Sequence, residues 1–237
     1  MAGHSHWAQI RHKKAIEDKK RSQIFSKLTN LIAVAAREDP NPETNPKLRA
    51  AIEKAKEFNL PKENIERAIK RGAGILEGEK LEEIICEAYG PEGVPILIKA
   101  ITSNKNRTLG ELRGILNKYQ AKLAQAGSVL YLFDEKAVFE IKKEDLKEGI
   151  LEKLIEKGAL DWEEKEDSIV IYFPQKSFGE IKEFLEKENI KTLDASIDFV
   201  PKSYQEVSEE SRKTLEALFE SLDDHPDVEE IYSTLKI

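Results

Sequence analysis

The hydrophobic period changes character once along this chain, at residues 72–80, and that change constrains what the chain can fold into. Before it, apolar residues recur at helical spacing: Ile24, Leu28, Leu31, Ile32 and Ala35 fall on one face of a single helix. Asp39-Pro40-Asn41-Pro42 is a loop signal that ends this helix. Asn45 is placed to cap a second helix and Pro46 to occupy its first turn, with Leu48, Ile52 and Ala55 as the buried stripe. A third helix is expected to start near Pro61, bury Ile65, Ala68 and Ile69, and stop at Gly72. Short amphipathic helices bury their apolar faces only against each other or a neighbour. Residues 1–75 are therefore expected to form a three-helix domain.

Beyond the glycines Gly72, Gly74 and Gly78 the pattern turns strand-like. Strands are predicted over 83–89 and 94–102, separated by the turn Gly90-Pro91-Glu92-Gly93. A helix over 108–119, striped by Leu109, Leu112 and Leu116, and a strand over 128–133 follow. A second set comprises a strand at 137–141, a helix at 144–157, strands at 160–164 and 168–173, a helix at 177–188 and a strand at 192–200. That βαββαβ order is ferredoxin-like. A helix over 208–222 and a strand over 228–235 supply the αβ pieces missing from the ββαβ set of 81–133. The expected class is α+β: an N-terminal three-helix domain followed by two ferredoxin-like α/β domains, one inserted in the other. The expected boundaries are 1–75, then 81–133 plus 201–237, with 134–200 as the insertion.

The net charge of −7 argues against a polyanion partner only until its distribution is read. Residues 1–75 hold 16 Lys and Arg against nine Asp and Glu, a balance of +7, which leaves −14 for the remainder. Basic charge gathered in one region gains counterion-release free energy at phosphates, while a distant acidic region mainly adds solubility. The densest part is the arm, where His4, His6, Trp7, Arg11, His12, Lys13, Lys14, Lys19, Lys20 and Arg21 are opposed only by Glu17 and Asp18. Lys and Arg neutralise phosphates, imidazoles hydrogen-bond phosphate or sugar, and Trp7 is placed to stack on a base. Lys27 continues this charge, Arg67, Lys70 and Arg71 form a second patch, and Asn106 and Arg107 sit in a polar strand-to-helix loop ahead of a capping Thr108.

Other chemistries find little support. Cys86 is the single cysteine, which excludes a disulfide framework and a cysteine zinc site, and its apolar strand marks it as buried and inert. His4-Ser5-His6 and the start Ala2-Gly3-His4 suggest incidental affinity for Cu(II) or Ni(II), with no physiological metal site. The glycines at 72, 74 and 78 follow a helix instead of a strand, so they read as a helix stop and linker, and no phosphate-binding loop with a terminal Gly-Lys-Ser/Thr is present. A hydrolytic relay around His225 lacks a nucleophile elbow. No catalytic residue, metal or cofactor is expected. No signal peptide and no apolar run of membrane-spanning length can be read, so a cytoplasmic location without membrane contact is the expectation.

The residues also carry a family resemblance. Ala2-Gly3-His4-Ser5 with Trp7, Ile24-Phe25 with Lys27-Leu28, and Ala35-Ala36-Arg37-Glu38 resemble the YebC/PmpR family. So do Asn45-Pro46 with Leu48-Arg49, Ala51-Ile52-Glu53-Lys54-Ala55, Pro61-Lys62 with Asn64-Ile65-Glu66-Arg67-Ala68-Ile69, Tyr89-Gly90-Pro91, Asn106-Arg107-Thr108 and Gly127-Ser128-Val129. The resemblance implies a three-domain cytoplasmic protein described as a transcriptional regulator, with DNA binding attributed to some members. Other members, mitochondrial relatives included, act in translation at the ribosome. Two positions depart from the pattern: Glu92 stands where the family often has Gly, and His6 where it usually has a basic residue.

The expected function is thus a non-enzymatic, nucleic-acid-binding regulator of gene expression, a DNA-binding transcriptional regulator first and a ribosome- or RNA-associated translation factor second. The expected partner is duplex DNA or ribosomal RNA, with the ribosome or a regulatory protein as a further partner. No segment dense in Arg, Asn and Gln stands out for reading base edges.

Overall fold

Asn45 accepts a hydrogen bond from the Leu48 backbone N–H at 3.0 Å, and its amide donates to the carbonyls of Ala35 and Asp39. One buried side chain therefore caps the second helix and ties it to the end of the first. The computed structural model describes residues 18–78, 80–146 and 149–236, with side chains in the first helix from residue 22 onward. Helices α1 (Asp18–Ala35), α2 (Pro46–Glu57) and α3 (Lys62–Gly72) enclose Leu28, Ile32, Leu48, Ala55 and Ala68, as their spacing predicts. Helices α1 and α3 cross very closely. A Cβ on Gly72 would lie 2.1 Å from the Ala33 carbonyl oxygen, so only glycine fits there.

The remainder forms two four-stranded antiparallel sheets, and the fold is α+β. The first has the order β3-β1-β2-β8, from β1 (Glu82–Tyr89), β2 (Pro95–Thr102), β3 (Lys122–Leu123) and β8 (Val228–Ser233). Helices α4 (Lys105–Lys118) and α7 (Glu209–Asp223) cover one face, burying Leu112, Leu116, Leu215 and Phe219 against Ile96 and Ile98. The end of the chain thus completes a sheet begun by its middle. The second sheet has the order β5-β6-β4-β7, from β4 (Phe133–Lys142), β5 (Asp161–Glu164), β6 (Ser168–Pro174) and β7 (Thr192–Pro201). Helices α5 (Ile150–Glu156) and α6 (Phe178–Lys187) complete its βαββαβ order, and Phe139 stacks on Phe178 with centroids 5.3 Å apart. This strand order is the ferredoxin-like one.

Several elements differ from the sequence-based expectation. The strand expected over 128–133 is a turn followed by a short 3₁₀ segment, and the third strand of the sheet is instead Lys122–Leu123. The cause is Glu87, whose buried carboxylate accepts the backbone N–H groups of Gly127, Val129 and Leu130, so this stretch bonds to a side chain instead of a strand. Helix α4 starts three residues earlier than expected because Asn104, not Thr108, accepts from the Arg107 N–H as its cap. Thr108 is fully buried. The helix expected over 144–157 is a 3₁₀ turn and the shorter α5. Glu92 takes φ +55°, in the left-handed region that favours glycine, and its carboxylate accepts from both the N–H and the hydroxyl of Ser208.

Candidate nucleic-acid interface

The basic charge of the helical layer divides between two surfaces. Four cations pair with acids of the α/β layers, from the buried Lys27 to the exposed Lys47. Lys27, expected on the phosphate-facing surface, is instead buried at 9% exposure; its ammonium donates to the Asp223 carbonyl at 2.7 Å and lies 3.8 Å from the Asp223 carboxylate. Lys47 pairs with Glu135 at 3.6 Å, Arg49 with Glu183 at 3.4 Å, and Lys54 with Glu230. Part of the positive excess therefore holds the molecule together, a role that sequence reasoning missed. The signal was available: a basic region and an acidic remainder in one chain are complementary to each other as well as to an outside polyanion.

The second surface faces outward. Arg67 and Lys70 are exposed on α3, and their side chains make no hydrogen bond or ion pair with another described residue. Arg71, one residue on, is half-buried and donates to the Asn30 side chain at 2.9 Å and the Thr29 carbonyl at 3.3 Å. Lys19, Lys20 and Arg21 lie at the beginning of α1 as described, with side chains outside the description. His4, Trp7, Arg11, Lys13 and Lys14 lie outside the described residues. The structure thus brings Arg67, Lys70 and Arg71 together at the end of α3. It leaves Asn106 and Arg107 apart from them, on α4 of the first sheet layer.

At that second location Asn106 is exposed and Arg107 bonds to Asp227 at 2.6 Å, with Glu111 3.9 Å away. The Thr108 hydroxyl also reaches Asp227, at 2.6 Å. Burial pushes the Asp227 acid up, but the hydrogen bonds from Thr108 and Arg107 outweigh it and hold the carboxyl below its usual range. His225 completes the group: its Nδ1 accepts from the Asp227 N–H at 3.1 Å and its Nε2 lies 2.9 Å from Glu111. Glu111, His225 and Asp227 have the composition of a metal site. The bonding argues against one, because accepting at Nδ1 keeps the proton of the neutral ring on Nε2, leaving no lone pair there. Arg107 already supplies the cation. Thr108 bonds to Asp227, not to His225, so no nucleophile–base pair forms either.

Where helices α1 and α2 meet both sheets, a cavity of about 140 Å³ remains. Small-molecule sites usually span about 300–1,000 Å³. Its cations are matched: Lys54 by Glu230, Lys47 by Glu135, and Lys99 by Glu83 at 3.1 Å. Tyr232 donates to Asp198 at 3.1 Å across the same junction. Close by, the β2–β8 register shifts so that Lys99 opposes Glu230 while Ala100 opposes Val228, which makes Glu229 the extra residue of a bulge. Its carboxylate is buried with Oε1 unpartnered, and burial pushes its pKa up to about 8 against the downward pull of Lys27, Lys54 and Lys99. This is a charged joint between layers.

A basic three-helix layer joined by ion pairs to two acidic antiparallel α/β layers defines an α+β protein. The sequence matches the TACO1/YebC protein N-terminal domain over residues 5–75 and the TACO1/YebC second and third domain over residues 81–235. Relatives span the full chain: one from Thermotoga petrophila is 46% identical over 100% of this chain and 94% of its own. One from Caldanaerobacter subterraneus is 45% identical over 100% and 99%, and one from Aquifex aeolicus is 46% identical over 100% and 96%. Each is named a probable transcriptional regulatory protein. The crystal structure of a conserved hypothetical protein from Aquifex aeolicus superposes with a TM-score of 0.86 at 44% identity, covering 98% of this chain and 97% of that one. The chain belongs to the TACO1/YebC family.

Proposed function

We propose that this protein is a non-enzymatic, nucleic-acid-binding regulator of gene expression that docks on duplex DNA through phosphate contacts. Residues 1–75 are the binding unit, and the acidic units 81–133 plus 201–237 and 134–200 position it and present surfaces to partners. The observation that carries this reading is Arg67 and Lys70: they stay exposed and unpaired on α3, while Lys27, Lys47, Arg49 and Lys54 of the same layer are committed to internal ion pairs. The arm bearing His4, Trp7, Arg11, Lys13, Lys14, Lys19, Lys20 and Arg21 extends the same charge. The naming of the relatives as regulators supports the reading. No helix among the described residues is long and apolar enough to cross a membrane, in keeping with a cytoplasmic setting. Phosphate contacts of this kind orient a protein on a duplex without reading its sequence.

The test is a partition. Purified full-length protein is offered labelled duplex DNA and intact ribosomes together at physiological salt, and the fraction on each is measured. Retention on DNA is the expected result. Stable transfer to ribosomes replaces the transcriptional reading with one in translation.

A further inference from the structure

Ile155, Leu160 and Trp162 leave 44%, 56% and 42% of their surface exposed at one edge of the second sheet. Trp162 sits on β5, the outermost strand of the order β5-β6-β4-β7. It opposes Ile171, whose side chain lies in the helix-covered core. Leu160, two residues earlier, shares that face, and its N–H donates to the Tyr172 carbonyl at 2.7 Å. On α5 the ammoniums of Lys153 and Lys157 reach Glu188 and Glu180, at the two ends of α6, at 2.9 and 3.0 Å. With about 3.6 residues per turn, Ile155 points away from those lysines, on the flank toward β5. The strand edge itself is open: its outer side pairs with no described strand, and the Trp162 N–H donates to the neighbouring Asp161 carboxylate at 2.9 Å.

Charge decides what can cover this patch. Residues 134–200 hold 11 Lys and no Arg against 19 Asp and Glu, a balance of −8, so phosphates and anionic lipids are repelled. Glu156 and Asp161 are exposed beside the patch, and their side chains make no ion pair with a described residue. A second copy meets the same obstacle. Two β5 strands laid side by side bring Asp161, Glu163 and Glu164 of one against those of the other, and like charges placed opposite destabilise a strand pair. An extended segment alternating basic with apolar residues fits instead. Its backbone lengthens the sheet, its apolar side covers Leu160 and Trp162, and its cations meet the acids.

We propose that the β5 edge, with Ile155, Leu160 and Trp162, is a docking site for an extended basic segment of a partner protein, added to the sheet as a further strand. The site is separate from the cations of the helical layer and stands whether or not duplex DNA is bound there.

The test begins with two arrays of short peptides, one alternating Lys or Arg with Val, Ile, Leu or Phe, the other carrying Glu or Asp in place of the basic residues. Full-length protein is applied to both. Basic peptides that retain it are titrated in solution against wild type, L160S/W162S and E156K/D161K, with circular dichroism confirming the fold. The expected result is retention on the basic array alone and an affinity at least about tenfold lower in L160S/W162S, the loss of an anchoring side chain. In E156K/D161K the preference moves toward the acidic array. No retention, equal retention on both arrays, or an unchanged affinity in L160S/W162S overturns the proposal. Sedimentation velocity addresses the other occupant: self-association of wild type that L160S/W162S abolishes assigns the patch to a second copy and overturns the proposal as well.

Discussion

The ammonium of Lys27 donates to the main-chain carbonyl of Asp223 at 2.7 Å, joining the first described helix to the last across 196 residues. The pair lies inside the molecule, so a side chain that looks in sequence like a phosphate ligand acts as a clasp between layers. Replacing Lys27 with Met keeps the apolar stem and removes the charge-assisted bond, whose loss costs about 1.5–3 kcal/mol for a hydrogen bond to a charged group. Urea unfolding measures that loss. In a DNA titration the same variant keeps the wild-type salt slope; a flattened slope would return Lys27 to the interface.

Glu229 makes stability depend on pH in an unusual direction. Its folded-state pKa is raised to about 8 by burial, above the ordinary 4.5. The unfolded chain therefore gives up this proton first, and stability falls as pH rises between those two values. Each tenfold change in acidity is worth about 1.4 kcal/mol. Glu229→Gln, neutral at every pH, is expected to gain on wild type by at least about 1 kcal/mol when unfolding midpoints at roughly pH 6 and pH 9 are compared. A constant difference between the two proteins would show that the carboxyl is already ionised in the fold.

Glu87 acts in the opposite sense. Burial raises its pKa, but the N–H groups of Gly127, Val129, Leu130 and Ser128 outweigh that and hold the carboxyl below its usual range. Its contribution is present above the ordinary carboxylate pKa and fades as pH falls through the lowered one. Glu87→Gln leaves one oxygen acceptor for three donors. Hydrogen exchange should show weaker protection at Val129 and Leu130, with global stability reduced by about 1–3 kcal/mol. Retained protection would mean that the segment holds its conformation without the carboxylate.

The helical layer was legible because its signals are local: Asn45 and Pro46 begin a helix and Gly72 ends one within a few residues of sequence. The βαββαβ order was equally open to reading, since each strand and helix carries its own period. What stayed hidden depends on distant partners. The 128–133 stretch has strand composition, yet Glu87, some 40 residues earlier, takes its N–H groups. The sign of the charge marked residues 1–75 as basic, but which cations face outward was decided by Asp223, Glu135, Glu183 and Glu230.

Cys86 gives a chemical measure of how firmly the first sheet layer is closed. It faces the core at 5% exposure, and burial pushes its thiol pKa up to about 11. Thiolate is the reactive form, so labelling by a disulfide reagent at mildly alkaline pH should be slow in the native protein and fast in urea. Rapid native labelling would indicate that the layer of α4 and α7 opens readily.

The central claim is that outward cations of the helical layer and its arm hold nucleic acid by phosphate contacts. It is tested most directly by the salt dependence of duplex binding. Fluorescence anisotropy would compare wild type with a variant carrying Gln at Lys13, Lys14, Lys19, Lys20, Arg21, Arg67 and Lys70. The account predicts a steep negative slope of log K against log salt for wild type, flattened by about 0.9 for each phosphate left without its cation. A full slope retained by the neutralised variant, or no duplex binding by wild type even at low salt, would contradict it.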